Sequence, residues 1–309
     1  MEGKTYSGVV IRSTGRHSLV RTAEGKQVSC VVRGKFRLKG LRSTNPVAVG
    51  DNVTIVMSDD GELGTITRIQ DRKNYILRKA ASHSRNVHIL CANVDQAILL
   101  YTLTKPHTTS GFANRFLVVA EAYHIPIQIV INKVDLLDTE ELLIRKEDVK
   151  RMYEDIGYPV TEVSALDSQH QETIRNLLKD KVSFISGHSG AGKSTLINLV
   201  DPSLDLKTGE ISLASEKGRH TTTYAEMHPL SIGGYIIDSP GIKEMGIAGL
   251  EKAELAHYFP EMQARMDQCR FHNCIHVSEP DCAVKTAVEA GEIHHLRYNS
   301  YLSMLEDLG

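Results

Sequence analysis

A glycine-rich stretch in the second half of the chain has the residue types needed to hold phosphate groups. Residues 187–194 read GHSGAGKS and follow the apolar run 182–185. Glycines let successive backbone N–H groups turn toward phosphate oxygens at the start of a helix, because they carry no Cβ that would clash. The pattern therefore predicts a phosphate-binding loop, or P-loop, between a strand and a helix. An ordinary glycine-rich turn is the alternative.

The positions of this loop have separate expected roles. Lys193 would place a positive charge on the β- and γ-phosphates, and Ser194 would supply a hydroxyl ligand to Mg²⁺. The expected nucleotide contacts are Gly187, His188, Ser189, Gly190, Ala191, Gly192, Lys193, Ser194 and Thr195.

A second motif upstream indicates which base is bound. Asn132, Lys133 and Asp135 form an NKxD pattern directly after the buried-strand run 126–131. The Asp135 carboxylate can accept hydrogen bonds from guanine N1–H and the 2-amino group, whereas adenine would leave that carboxylate desolvated and unpaired. We therefore predict GTP and GDP as the nucleotides.

Two shorter motifs support the same site. Ser164 and Ala165 follow the next predicted strand and are expected to close over the edge of the base. In the sequence DSPG, Asp238 would hold Mg²⁺ through water and the Gly241 N–H would contact the γ-phosphate. Short patterns recur by chance, so these two motifs count only in company with the P-loop and NKxD.

The order of the motifs is unusual. In an ordinary GTPase the P-loop comes first, but here 132–135 and 164–165 precede residue 187. The chain is therefore expected to be a circular permutant, which a fold tolerates because domain termini usually lie close together on the surface. The DSPG motif then leads directly into the C-terminal segment, which the γ-phosphate could displace.

The stretch GRHTTT at residues 218–223 is a candidate switch loop, because it lies without clear periodicity between the P-loop and DSPG. One threonine, for which we take Thr222, could give Mg²⁺ a second hydroxyl; a polar strand start is the alternative. Ile242 stands where Ras-like enzymes place the glutamine that orients the attacking water, so hydrolysis is expected to be slow alone or to use another group such as His220. The predicted catalytic residues are His220, Lys193 and Thr222.

Three cysteines and a histidine near the C-terminus form a metal-binding pattern. Cys269, Cys274, His276 and Cys282 have the spacing Cys-x4-Cys-x-His-x5-Cys. Thiolates and imidazole this close together suit one structural Zn²⁺ better than a disulfide in a cytoplasmic chain. His272 is the alternative nitrogen ligand, and the other two cysteines are expected to fill apolar strand positions.

Composition and charge limit the classes of function that this chain can have. The 309 residues are 41% hydrophobic and 24% charged, with no apolar run of membrane-spanning length. The N-terminus lacks a signal-peptide core, so a cytoplasmic protein with no membrane partner is expected. The formal net charge is −2, yet residues 1–80 carry 15 Lys and Arg against 7 Asp and Glu, an excess of eight positive charges. That excess predicts a nucleic-acid-binding N-terminal part.

The strand and helix patterns place the motifs in three domains. Five short strands predict an OB-type β-barrel over 1–72, whose basic loop 33–42 either contacts the backbone of folded RNA or is simply solvated. Residues 73–86 are expected to be a linker. Alternating strands and helices predict a doubly wound α/β P-loop GTPase domain over 87–246, followed by a helical zinc-binding domain over 247–309.

The motifs NKVD, SA, GHSGAGKS, GRHTTT and DSPG, in that order between a basic barrel and a Cys/His cluster, resemble the RsgA (YjeQ) family of circularly permuted GTPases. The resemblance covers nearly the whole chain. It implies a GTP hydrolase that binds the small ribosomal subunit and its rRNA, assists its late maturation and is released after subunit-stimulated hydrolysis. It also implies that His220 is the switch histidine and that the Cys/His cluster holds zinc. Nothing in the sequence suggests an oligomer, so a monomer is expected.

Two other functions stay open at this point. The chain could be an RNA-binding assembly module whose nucleotide site regulates affinity with little turnover, and stimulation of hydrolysis by small subunits would separate it from the leading hypothesis. A P-loop kinase or ATPase is the weaker alternative, because Asp135 would then lack its guanine partner.

Overall fold

The computed structural model describes residues 4–15, 17–32, 46–79, 87–206, 225–238 and 250–308. These residues form two compact units that cut across the predicted domain boundaries. Unit 1 comprises Met1–Ala97, Ser168–Ser186 and Lys193–Ala248, and unit 2 comprises Ile98–Asp167, Gly187–Gly192 and Gly249–Gly309. The predicted basic loop, His220, Thr222, Gly241, Ile242 and the side chain of Asp238 lie outside the described residues.

A five-stranded barrel opens unit 1. Its strands are β1 (Thr5–Thr14), β2 (His17–Thr22), β3 (Gln27–Val32), β4 (Asn52–Met57) and β5 (Leu63–Ile69). β1 pairs antiparallel with β2 and β4, β2 pairs with β3, and the ring closes through β3–β5 and β4–β5. Alternate side chains meet inside as an apolar core that includes Val10, Val20, Val28, Ile55 and Ile66. The predicted OB-type barrel is confirmed.

The stretch 73–86, expected to be a linker, contains a β-strand. β6 (Tyr75–Lys79) pairs antiparallel with β7 (Val87–Ala92). Ile76 of β6 is 1% exposed, and Cys91 of β7 is fully buried. The sequence did not predict this strand because it is rich in basic residues and shows no clear alternation of apolar and polar side chains. Its stability comes from pairing with β7 and from the burial of a few apolar side chains.

The middle of the chain alternates strands and helices, as predicted. Its elements are β8 (Gln96–Tyr101), α1 (Ser110–Ala122), β9 (Ile127–Ile131), α2 (Glu140–Glu154), β10 (Val160–Glu162), α3 (Gln171–Leu178), β11 (Val182–Ser186), α4 (Lys193–Val200), β12 (Glu226–Pro229) and β13 (Tyr235–Asp238). In unit 2, β10 pairs parallel with β9. In unit 1, β11 pairs parallel with β13, and β12, which sequence analysis missed, pairs antiparallel with β13.

The C-terminal segment is helical but divided differently from the prediction. The sequence pattern predicts helices over 250–259 and 283–304, whereas the structure has a single turn of 3-10 helix at Leu255–Tyr258 and then three α-helices. These are α5 (Pro260–Met266), α6 (Ala283–Glu289) and α7 (His295–Asp307). Gly291 lies between α6 and α7 with φ +75°, a left-handed conformation that ends a helix and that glycine adopts without strain. No helix among the described residues combines the length and apolar character needed to cross a membrane.

A buried polar network in unit 2 fixes the C-terminal helices to α1 and α2. Arg297 of α7 is fully buried and donates two hydrogen bonds to the Glu261 carboxylate of α5, at 2.7 and 3.1 Å, and one to Asn114 Oδ1 of α1, at 2.9 Å. Asn114 Oδ1 also accepts from the Tyr153 hydroxyl at 3.2 Å, and its amide donates to Ser300 Oγ at 2.8 Å. Such a network stabilises one arrangement of helices because every buried charge has its partner.

Substitution of Arg297 tests this network. Arg297→Met keeps most of the side-chain volume but leaves the Glu261 carboxylate buried without its cation, so we expect the free energy of unfolding to fall by about 3–5 kcal/mol. Arg265→Met is the matched control, because the Arg265–Glu292 pair has side chains that are 28% and 58% exposed. That loss should cost less than about 1 kcal/mol. Equal losses for both variants in denaturant titrations would contradict the assignment.

Candidate nucleotide site

Asn132 joins the three motifs of unit 2. It follows the last residue of β9, is 1% exposed, and donates through Nδ2 to the Ala191 carbonyl of the P-loop at 2.8 Å. Its Oδ1 accepts from the Ala165 N–H at 3.0 Å. Its own N–H donates to the Tyr101 carbonyl at the end of β8, at 2.8 Å. A carboxamide is suited to this position because it offers a donor and an acceptor at once.

Lys133 makes a second link between the NKxD motif and the P-loop. Its backbone has φ +63°, and its ammonium donates to the Gly190 carbonyl at 2.6 Å and also to the Lys105 carbonyl. Burial lowers the pKa of Lys133 from its usual value, and the charge of Asp135 opposes that shift. The lysine therefore ties the P-loop to the loop that follows β8.

Two of the P-loop glycines are required by close contacts within unit 2. At Gly192, where φ is +99°, a Cβ would lie 2.4 Å from Asn132 Nδ2. At Gly187, a Cβ would lie 2.8 Å from the Leu100 carbonyl oxygen. A larger residue at either position would displace the backbone that sequence analysis assigns to phosphate binding.

The hydrogen bonds of Asn132 with Ala191, Ala165 and Tyr101 form what we call the Asn132 framework. The predicted base-binding residues lie at the edge of this framework. Asp135 is exposed in a single 3-10 turn, Val134–Leu136, and the Val134 N–H is bonded to the Val163 carbonyl at 3.3 Å. Ser164 is 2% exposed, and its Oγ accepts from the Leu166 N–H at 3.3 Å. The chain around the base-binding motifs is thus held by hydrogen bonds while the Asp135 carboxylate faces solvent.

The structure adds contacts that sequence analysis missed. The ring of His188 stacks on Phe112, with centroids 4.0 Å apart and an angle of 26° between the planes. Phe112 lies in the first turn of α1, where its N–H is capped by Thr109 Oγ1 at 3.3 Å. Lys105, which accepts from Lys133, precedes the same helix. Neither Phe112 nor Lys105 belongs to a motif, so only the tertiary structure reveals them.

The remaining P-loop residues continue the chain into unit 1. Ser189 is exposed, whereas Lys193 and Ser194 are each 6% exposed at the start of α4 and Thr195 is half-buried behind them. At the end of α4, Asn198 holds the outgoing chain by donating to the Leu206 carbonyl at 2.8 Å and accepting from the Leu206 N–H at 3.0 Å. Ser194 is therefore the predicted Mg²⁺ ligand whose surroundings are described, because Thr222 lies outside the described residues.

The Cys/His cluster is assembled in unit 2. Ligand atoms of Cys269, Cys274, His276 and Cys282 all lie within 4.8 Å of one another. Cys282 Sγ is 3.4 Å from His276 Nδ1 and 3.9 Å from Cys269 Sγ. Metal–sulfur bonds of about 2.3 Å in a tetrahedron place two sulfurs about 3.8 Å apart, so the four residues could hold one metal ion. His272 is exposed and outside the cluster, which decides between the two candidate histidines.

Helix α7 supports this cluster from outside. The hydroxyls of Tyr298 and Tyr301 donate to the carbonyls of His276 at 2.7 Å and Ile275 at 2.6 Å. Burial raises the pKa of the Cys274 thiol to about 12 when no metal is present. The thiol would then keep its proton at neutral pH, and a metal ion that binds there must displace it.

Comparison with known proteins identifies the family. The sequence model described as RsgA GTPase matches residues 69–248, and the model described as RsgA N-terminal domain matches residues 7–66. The chain belongs to the RsgA GTPase family. As a member of this family it is a GTP-hydrolysing enzyme, which removes the kinase and ATPase alternative.

Two relatives match nearly the whole chain. The small ribosomal subunit biogenesis GTPase RsgA of Bacteroides fragilis strain YCH46 is 50% identical over 300 residues, covering 97% of this chain and 96% of that protein. The protein of the same name from Flavobacterium psychrophilum is 47% identical over 302 residues, covering 97% and 92%.

Two solved structures show the same fold. The crystal structure of YjeQ from Thermotoga maritima has a TM-score of 0.77 at 34% identity and covers 99% of both chains. That of YloQ, described as a circularly permuted GTPase, has a TM-score of 0.73 at 28% identity, covering 99% of this chain and 95% of that one. The RsgA-family fold seen here is therefore an OB-type barrel, a permuted α/β GTPase domain and a helical segment with a Cys₃His cluster.

Replacing Asn132 tests the framework of this RsgA-family site. Asn132→Ala removes two buried hydrogen bonds that hold the P-loop and the Ser164–Ala165 motif together. At about 1 kcal/mol for each bond, we expect GDP affinity to fall by roughly thirtyfold. Asn74→Ala is the matched control, because the Asn74 side-chain amide likewise makes two hydrogen bonds to the backbone. Its two partners are the carbonyl and the N–H of Val94, at 2.8 Å each. That variant should lose stability but keep its GDP affinity in fluorescent-nucleotide titrations. Unchanged affinity in a folded Asn132→Ala protein would contradict the assignment.

Proposed function

We propose that this RsgA-family GTPase binds the small ribosomal subunit through its rRNA, assists the late maturation of the subunit, and leaves after hydrolysing GTP to GDP and phosphate. The observation that carries the proposal is the Asn132 framework, in which a guanine-type motif and a P-loop share one set of buried hydrogen bonds. The names of full-length relatives at 47–50% identity support the ribosomal part. We further propose that the protein acts as a monomer in the cytoplasm.

The nucleotide would be held by groups from several segments. Asp135 would accept both guanine N–H groups, Ser164 and Ala165 would cover the base edge, and the P-loop amides with Lys193 would bind the phosphates. Mg²⁺, when bound, compensates charge on the β- and γ-phosphates. Ser194 and Thr222 would be its hydroxyl ligands, and the buried position of Ser194 at a helix start fits that role.

Hydrolysis would depend on the ribosomal partner. Ile242 cannot hydrogen-bond a water molecule, so this chain lacks the glutamine that orients the nucleophile in Ras-like enzymes. We propose that His220 positions the attacking water when the small subunit is bound. The segments 218–223 and 238–241 would then change conformation when the γ-phosphate is lost, and the protein would dissociate from the subunit.

The Cys/His cluster is proposed to hold one structural Zn²⁺. Three sulfurs and one imidazole nitrogen at mutual distances below 4.8 Å are the donor set of a closed tetrahedral zinc site. Cys282 also caps the start of α6, where its sulfur accepts from the Lys285 N–H at 3.5 Å. The metal would thus tie the loop 269–282 to the helices that follow it.

The hydrolysis rate with and without small subunits tests the function. We expect isolated small subunits to raise the GTP turnover rate at least about tenfold, a reduction of roughly 1.4 kcal/mol in the barrier, whereas large subunits leave it unchanged. Ser194→Ala should abolish turnover and stay bound to subunits in sedimentation assays. Equal rates with and without small subunits would refute the coupling and favour an RNA-binding module with little turnover.

Metal analysis tests the zinc proposal. Purified protein should contain about one zinc per chain, and Cys282→Ala should lose most of it, because three ligands hold the ion far less tightly. Cys91→Ala is the matched control, since Cys91 is also buried but lies in β7 of unit 1 and is not one of the four clustered residues. The proposal fails if Cys282→Ala retains full zinc content while Cys91→Ala behaves as wild type.

A further inference from the structure

The barrel has a cavity at one open end. It has a volume of about 460 Å³ and is lined by the start of β1, the ends of β2 and β4, the start of β3, and the turn that joins β4 to β5. This volume lies within the range of ordinary small-ligand sites, and barrel mouths are among their usual locations. The cavity is remote from the point where β1 pairs with β12, at Arg12, because the intervening part of the strand spans about 20 Å.

The floor of the cavity is apolar and aromatic. It consists of Tyr6, Val28 and Met57. Val28 is 4% exposed and belongs to the barrel core, and Tyr6 and Met57 pack against that core while staying partly exposed. A flat apolar group that covered this floor would remove hydrophobic surface from water and could stack on the tyrosine ring.

The rim of the cavity carries two charges of each sign. Lys4 and Lys26 supply ammonium groups, and the Lys4 Nζ lies 5.3 Å from the centroid of the Tyr6 ring. Glu24 and Asp59 supply exposed carboxylates. Ionised carboxylates can only accept hydrogen bonds, so a group inside the cavity is favoured if it presents N–H donors, and an exocyclic amino group offers two of them where the N3–H of uracil offers one.

We propose that this cavity binds one unpaired, amino-bearing base of an RNA strand, that is adenine, cytosine or guanine rather than uracil. The base would lie on Tyr6, and its exocyclic amino group would donate to Glu24 or Asp59, as carboxylates do to the cytosine amino group elsewhere. The flanking phosphates would run past Lys4 and Lys26. The inference rests on the proposed function in that small-subunit rRNA would be the source of the strand.

The charge distribution argues against a free anionic metabolite. The four charged residues of the rim cancel, so the cavity alone does not attract a small phosphate ester. The sequence of residues 1–80 taken as a whole, by contrast, holds an excess of eight positive charges. That excess suits a polynucleotide whose backbone extends beyond the cavity while a single neutral base enters it.

Binding of short RNAs by the full-length protein tests the proposal. In anisotropy titrations at fixed salt, fluorescein-labelled pentamers of A and of C should bind more tightly than the pentamer of U. Tyr6→Leu, which keeps an apolar floor but no ring, should weaken A and C binding roughly tenfold, and Tyr6→Phe should not, because stacking on a ring accounts for the difference. Glu24→Gln should reduce the preference over U.

Charge variants separate the cavity from general attraction to RNA. Lys26→Ala should weaken the binding of all three pentamers. It should also lower the slope of log K against log salt concentration by about one. Arg68→Ala, which removes the same charge from an exposed site on β5 outside the cavity, should leave binding unchanged. Basal GTP hydrolysis should equal that of wild type in every variant, which verifies folding.

The outcomes distinguish this proposal from the proposed function. If pentamer binding shows no base preference, or if Tyr6→Leu and Arg68→Ala behave alike, the base-binding cavity is refuted even when small subunits stimulate hydrolysis. If small subunits do not stimulate hydrolysis but the pentamers behave as expected, the cavity stands and the ribosomal assignment falls. Crosslinks from the cavity to ribosomal protein, with pentamer binding unaffected by Tyr6→Leu, would identify a protein partner and overturn the proposal.

Discussion

The nucleotide site depends on one buried carboxamide with both of its ends paired. Asn132 donates to Ala191 and accepts from Ala165, and these two bonds hold the P-loop and the Ser164–Ala165 motif against the end of β9. These hydrogen bonds join segments that are far apart in the chain, and neither bond requires a particular loop to connect the segments. The order of motifs along the chain can therefore change without altering the local geometry. The narrow space at Gly192, where a Cβ would lie 2.4 Å from the Asn132 amide, follows from the same contact.

Helix α1 extends this framework toward the C-terminal segment of unit 2. Its first turn presents Phe112 to the P-loop residue His188, and two residues further its buried Asn114 accepts from Arg297 of α7. Because Arg297 is fully buried and paired with Glu261, the C-terminal helices have one preferred position on α1. The P-loop residue His188 and the C-terminal helix α7 thus contact the same helix.

Local patterns predicted much of this architecture from the sequence. The P-loop, the NKxD motif, the five barrel strands and the Cys₃His cluster depend on residues close together in the chain, where turn chemistry and spacing are informative. What escaped prediction depends on contacts between distant segments. Phe112 and Lys105 gain their roles only from the fold, β6 needs β7 to bury Ile76, and the Arg297–Asn114 bond joins residues 183 positions apart. The break at Gly291 was missed because the residues on both sides favour a helix.

Hydrogen exchange during a GDP titration tests whether the segments 132–135 and 187–194 hold one nucleotide. We expect amides in both segments to become protected together, with one apparent Kd, while the barrel strands β1–β5 keep their exchange rates. Protection of 187–194 at full GDP occupancy with no change in 132–135 and 164–166 would contradict it, because the guanine motif would then lie outside the site that the P-loop forms.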